Sequence, residues 1–272
     1  MPMRPAMPKG RISPRSELAN LPRTVHGGKG WMLDNVEDYS HNLNPFGPPE
    51  DLAEIVASAI PQVGHYPDDS CAELREVIAK TFNVATDCIS VGAGSSDIIR
   101  NVPNTFYERG DRVVIPSPSF AEYTQQCRIV GAEAHPFELQ PEEDFRIDAD
   151  RLLEAAEGAR AVYICNPNNP TGRVEPRDKL VRIARELEEQ GTLLFLDETL
   201  LELVPGYTDI TLSGMVSRFS NLIVASSLTK SFAIPGIRTG FGFSNPAIIA
   251  EMDKVRMTWY VGEIEPTVAT GL

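Results

Sequence analysis

Thr192-Leu193-Leu194-Phe195-Leu196-Asp197-Glu198 is an unbroken apolar run closed by two acids. A strand with one wet face alternates apolar and polar residues. A run that is apolar throughout needs cover on both faces, so it reads as a central strand of a parallel sheet between helical layers. The segments on either side repeat the scheme. Ala161-Val162-Tyr163-Ile164 and Asn221 to Ala225 read as strands. Between them, Pro176 to Gln190 carries Leu180, Ile183, Ala184 and Leu187 at helical spacing. Farther upstream, Pro48-Pro49-Glu50 opens a helix with Leu52, Ile55, Val56, Ala59 and Ile60 on one face. A second helix from near Asp69 uses Leu74, Val77, Ile78 and Phe82. Cys88 to Val91 is a strand, Asp97 to Tyr107 a helix, and Arg112 to Ile115 a strand that Pro116 should stop. Downstream, Arg238 to Phe243 reads as a strand and Asn245 to Trp259 as a long helix. The alternation predicts an α/β fold with a mostly parallel sheet flanked by helices.

Composition narrows the class. With 25 basic and 38 acidic residues, the net charge is −13. Phosphate backbones would be repelled, so nucleic acid is not an expected partner. No apolar run reaches the length of a bilayer span, so no membrane partner is expected either. Cys71, Cys88, Cys127 and Cys165 are far apart and form no CxxC pair. They read as buried free thiols of a reducing compartment, and the expected location is cytoplasmic. Residues 1–25, rich in Pro and Arg, read as an arm that either docks on the body or on a second subunit, or stays loose.

Ligands on such sheets bind at the carboxyl ends of the strands. The segments expected there are Gly92-Ala93-Gly94-Ser95-Ser96, Pro116 to Phe120, Asn166 to Pro170, Asp197-Glu198 and Ser226 to Lys230. Gly94, Ser95 and Ser96 sit between strand and helix, where free N–H groups and hydroxyls suit a phosphate; an ordinary Gly/Ser turn reads the same way. Lys230 follows a buried strand among Ser227, Thr229 and Phe232, with Arg238 nearby. It is either an ordinary surface lysine or an enclosed amine, and enclosure favours the neutral, nucleophilic form. Asp197 at the end of the most apolar strand needs a cation, a helix N–H or a salt bridge beside it.

Asn166-Pro167-Asn168-Asn169-Pro170-Thr171-Gly172, Asp197-Glu198 and Ser227-Leu228-Thr229-Lys230 with Arg238 together resemble the fold-type-I pyridoxal-phosphate enzymes of the class I/II aminotransferase group. The resemblance runs from about His26 to the end of the chain. It implies a seven-stranded-type sheet, pyridoxal 5'-phosphate as cofactor and a homodimer. By match, Lys230 joins the cofactor aldehyde and moves protons, and Asp197 pairs with the pyridinium nitrogen. Asn169 bonds the phenolic oxygen and Phe120 stacks on the ring. Gly94, Ser95, Ser96, Ser227, Thr229 and Arg238 hold the phosphate, and Tyr66 reaches the neighbouring subunit's cofactor. Leu200 departs from the pattern, because many relatives carry a tyrosine three residues after the aspartate.

His26-Gly27-Gly28 and Tyr39 to Pro49 look like the N-terminal region of L-threonine O-3-phosphate decarboxylases of cobalamin synthesis. That likeness implies a phosphorylated amino acid as substrate, touched by His26, Gly27, Asn44 and Asn169. Histidinol-phosphate aminotransferase, or another member of the group, is the alternative. Which bond at the substrate Cα breaks depends on which stands perpendicular to the cofactor ring, so positioning decides the reaction. The resemblance divides the chain into the arm, a small-domain and substrate segment at 26–60, a cofactor-binding large domain at 61–255, and the start of a small domain at 256–272. Most of that small domain is expected to be absent, as in a fragment or a truncated homologue, with weak or no turnover.

Overall fold

The computed structural model describes residues 13–19, 21–24, 27 and 30–272. Seven strands form one sheet: β1 (Ile89–Gly92), β2 (Arg112–Ser117), β3 (Glu133–Glu138), β4 (Ala161–Cys165), β5 (Leu193–Asp197), β6 (Leu222–Ser227) and β7 (Gly240–Phe243). Their spatial order is β1-β7-β6-β5-β4-β2-β3. Only β7 runs against its neighbours; β2 to β6 pair in parallel.

Nine α-helices are described: α1 (Leu52–Ala59), α2 (Ala72–Phe82), α3 (Ser95–Phe106), α4 (Ala121–Val130), α5 (Ala149–Ala155), α6 (Arg177–Glu189), α7 (Leu228–Ser231), α8 (Pro246–Val255) and α9 (Ile264–Gly271). The central strands supply two cores by turns. Val162, Ile164, Leu194, Leu196, Leu222 and Val224 face one core, which α2, α5 and α6 close. Ala161, Tyr163, Phe195, Ile223 and Ala225 face the other, under α3, α4 and α8. Successive side chains of a strand point to opposite faces, which is why these runs are apolar without alternation. No helix among the described residues is long and apolar enough to cross a membrane, and all four cysteines are buried and free.

Several expectations need correction. β2 continues through Pro116 to Ser117, because its pairing with β4 ends at Val114 and the proline lies beyond that ladder. Edge strand β3 pairs only with β2 and buries little besides Phe137, so its sequence carries no apolar signal. Helices α4 and α5 were also not anticipated. The final strand begins at Gly240 rather than Arg238. The helix expected over 245–259 ends at Val255, where Arg256 turns extended. Its guanidinium pairs with Asp69 and Asp253, and Asp69 also accepts from Trp259 N at 2.6 Å. Of the expected arm, the described part lies against α4. Arg15 donates to Ile129 O at 2.6 Å, and Gln125 donates to Pro22 O at 3.0 Å. Beyond α8, Val261 and Ala269 bury into the same core as α2 and α6.

Candidate active site

The strand ends converge as the topology requires. A cavity of about 220 Å³ opens at the carboxyl ends of β4, β5 and β6, and both Lys230 and Asp197 line it. Asp197 is 4% exposed. Its Oδ2 accepts from the Tyr123 hydroxyl at 2.7 Å and its Oδ1 from Thr199 N at 2.9 Å. Burial pushes its carboxyl up, against the lowering by hydrogen bonds from Thr199 and Tyr123. An anion so placed gains from any cation that enters the cavity. Tyr123 was not foreseen. It sits one turn after Phe120 on the buried face of α4, where a tyrosine reads as core. Its proximity in sequence to Phe120 was the available signal.

Lys230 lies on the one-turn helix α7, directly after β6. Its Nζ donates to His41 O at 2.5 Å. Burial, and then the Arg238 guanidinium, lower its pKa from the ordinary lysine value. More of the amine is therefore neutral and nucleophilic at a given pH.

Ser95, Ser96, Ser227, Thr229 and Arg238 gather at one part of the cavity. Ser95 and Ser96 open α3, whose free N–H groups favour an anion. Arg238 donates to Ser96 Oγ at 3.2 Å and to Pro235 O at 3.3 Å. It has no acidic partner among the described residues. Glycines make this cup possible. A Cβ on Gly240 would lie 2.2 Å from Ser95 N, and one on Gly94 would lie 2.4 Å from Arg238 Nη2. Gly94 shapes the cup in this way and does not line it.

The asparagines of the 166–170 turn divide their work. Asn166 exchanges bonds with Glu175, donating to its O at 3.1 Å and accepting from its N at 2.7 Å. Asn168 bonds Ser119, Pro118 and Thr171. Asn169 alone of the three lines the cavity, with Phe120 and Leu200 also on its wall. A second cavity of about 400 Å³ adjoins the first through Asn42, Phe120, Asn169 and Lys230. Gly27, Ser40, His41 and Ser119 line this outer space.

Three expected residues fare differently. Asn44 is not at the cavity; its Nδ2 donates to Ser231 O at 2.8 Å and its N to Lys230 O at 3.0 Å. It braces the lysine helix, and the neighbouring Asn42 lines both cavities instead. The spacing of two asparagines could not say which one turns inward. Tyr66 is 76% exposed and stacks on Trp259 with ring centroids 4.2 Å apart, away from this chain's own cavity. His26 lies outside the described residues.

Comparison with known proteins adds the lineage. Residues 34–271 match the family model described as aminotransferase class I and II. A histidinol-phosphate aminotransferase of Caldanaerobacter subterraneus subsp. tengcongensis is 33% identical over 93% of this chain and 72% of its own length. From the same organism, a "Putative threonine-phosphate decarboxylase" is 30% identical over 91% of this chain and 66% of its own. The crystal structure of histidinol-phosphate aminotransferase from Sinorhizobium meliloti in complex with pyridoxal-5'-phosphate superposes with a TM-score of 0.78 at 25% identity, over 85% of this chain and 62% of that one. The chain thus spans about two thirds of the length of these proteins, from 62% to 72%. The match of the family model over most of the chain agrees with the motifs and the sheet order, and the chain belongs to the class I and II aminotransferase family.

Proposed function

We propose that this chain binds pyridoxal 5'-phosphate and uses it on a phosphorylated amino acid. The observation that carries the reading is the shared cavity. An amine, a buried carboxylate and a hydroxyl–arginine cup line one space. The cup suits a phosphate dianion, Asp197 suits a protonated ring nitrogen, Phe120 offers a flat face and Asn169 an amide. When bound, the cofactor supplies an electron sink for the bond broken at the substrate Cα. Lys230 would be the group that holds the cofactor through its aldehyde, and its Nζ would hold or move the proton at the substrate Cα. Tyr123 and Thr199 hold Asp197 in orientation. Leu200 adds no hydrogen bond, so Asn169 is the amide that remains for the phenolic oxygen.

Decarboxylation of L-threonine O-3-phosphate is the first reading. The Tyr39 to Pro49 segment supports it, as does the relative named for that reaction. Transamination of histidinol phosphate is the second, favoured by the relative at 33% identity. The exposed Tyr66–Trp259 stack, with Met257 59% exposed beside it in sequence, supports a homodimer. The deciding experiment loads the protein with cofactor and offers each substrate. Carbon dioxide from threonine phosphate favours the first reading; glutamate formed from histidinol phosphate and 2-oxoglutarate favours the second. Absence of any cofactor binding overturns both.

A further inference from the structure

The outer cavity contains a histidine that the cofactor does not need. His41 follows Asp38 by three residues, and its Nδ1 lies 2.9 Å from Asp38 Oδ2. Asp38 is itself fixed, accepting from Ser40 N at 2.8 Å and Ser40 Oγ at 2.6 Å. The imidazole is thus held through one nitrogen by a constrained carboxylate. Such a pairing orients the ring and leaves Nε2 to meet another group. Nε2 points toward Gly27, where a Cβ would lie only 3.0 Å away. Glycine at that position keeps the space beside Nε2 open.

The backbone of the same residue is tied to the reactive amine. His41 O accepts from Lys230 Nζ, and three residues later Asn44 is bonded to Lys230 O and Ser231 O. The ring of His41 is therefore set at a defined place relative to Lys230. The basic side chains of the two cavities also divide cleanly. Among the described residues, Arg238 lines the inner cavity and His41 the outer, and Lys230 lines both. Arg238 belongs to the cup already assigned to the cofactor. A substrate whose amino group meets Lys230 extends its remaining groups into the outer space.

We infer that His41, oriented by Asp38, binds the phosphate of the substrate through Nε2 and selects phosphorylated over unphosphorylated amino acids. This rests on the reading of the chain as a cofactor enzyme acting on a phosphorylated substrate. A charge-assisted contact to phosphate is worth about 1.5 to 3 kcal/mol, or about ten- to a hundredfold in affinity.

The test measures dissociation constants by calorimetry on cofactor-loaded protein. Two ligand pairs are used, L-threonine O-phosphate with L-threonine and histidinol phosphate with histidinol. The wild type is expected to prefer the phosphorylated member of at least one pair. His41→Ala should reduce that preference about tenfold or more, with the unphosphorylated ligand and the cofactor absorbance unchanged. His41→Lys should retain most of the preference, and Asp38→Asn should lower it in the same direction as His41→Ala. Equal weakening of both members of a pair would show that His41 only braces the Lys230 segment or takes the carboxylate. That result overturns the inference and leaves the phosphorylated-substrate reading standing. A wild type that prefers neither phosphorylated ligand, with cofactor bound, overturns both.

Discussion

At the scale of single residues, the candidate site joins a half-buried lysine to a buried aspartate, which a sequence can name but not pair. Lys230 and Asp197 are separated by a run of short 3-10 turns and by strand β6, yet they line one cavity. Lys230→Ala should abolish the visible absorbance that pyridoxal phosphate acquires on reacting with a lysine amine. Binding through the Ser95–Ser96–Thr229–Arg238 cup should persist as weaker, reversible quenching. An unchanged absorbance would place the reactive amine elsewhere. Tyr123→Phe removes a 2.7 Å donor from a carboxylate that is only 4% exposed. The cofactor-free chain should lose about 1 to 3 kcal/mol in urea unfolding. Cofactor affinity should fall as well, because Asp197 loses one of the groups that orient it. Lys230 was legible because its hydroxyl neighbours and Arg238 recur at a recognisable spacing. Tyr123 was not, because a tyrosine on a helix face looks like core until its hydroxyl finds an acid.

At the scale of elements, the cup is made by the approach of α3 to β7. Gly240 permits it, since any side chain there would meet the backbone of Gly94 and Ser95. Gly240→Ala should therefore destabilise the fold by about 2 kcal/mol or more, as overpacking against backbone does. It should also weaken inorganic phosphate binding to the cofactor-free chain. A melting temperature and phosphate affinity equal to wild type would contradict the packing argument. The strands with apolar residues on both faces were readable because two cores impose a continuous pattern. Strand β3 escaped notice because an edge strand can be mostly polar and carry a proline, and only its partner β2 makes it a strand.

At the scale of the whole molecule, several acids lie buried in the folded chain. Burial raises Glu198 from 4.5 to about 7, although Thr211 and Leu212 N donate to it. Burial also raises Asp97, Asp197 and Glu202. A carboxyl raised in the fold holds more protons there than in the unfolded chain. Its contribution is full below the unfolded value of 4.5 and is lost as pH rises through about 7. For Glu198 alone that loss is on the order of 3 kcal/mol. The urea midpoint of the cofactor-free chain should fall between pH 5 and pH 8, by a slope that Glu198→Gln reduces. A flat profile in the wild type would show that Glu198 stays ionised when buried. Asp68 and Glu188, held low by hydrogen bonds from Ala72 N and Ser220, act in the opposite sense at still lower pH. At this scale too, Tyr66→Ser and Trp259→Ala should each shift sedimentation toward the monomer if the exposed stack is an interface.

The sequence by itself determined the layered α/β architecture and named a lysine, an aspartate and, Gly94 apart, the hydroxyl and arginine residues that line one cavity with them. These follow from local rules: periodicity 2 or 3.6, and short motifs whose spacing survives in the fold. Only the tertiary structure decided that Asn42 rather than Asn44 faces the cavity, that Tyr123 holds Asp197, and that His41 stands beside Lys230. Each of those depends on contacts between segments far apart in the chain, and the direction a side chain takes there is set by the packing of its neighbours.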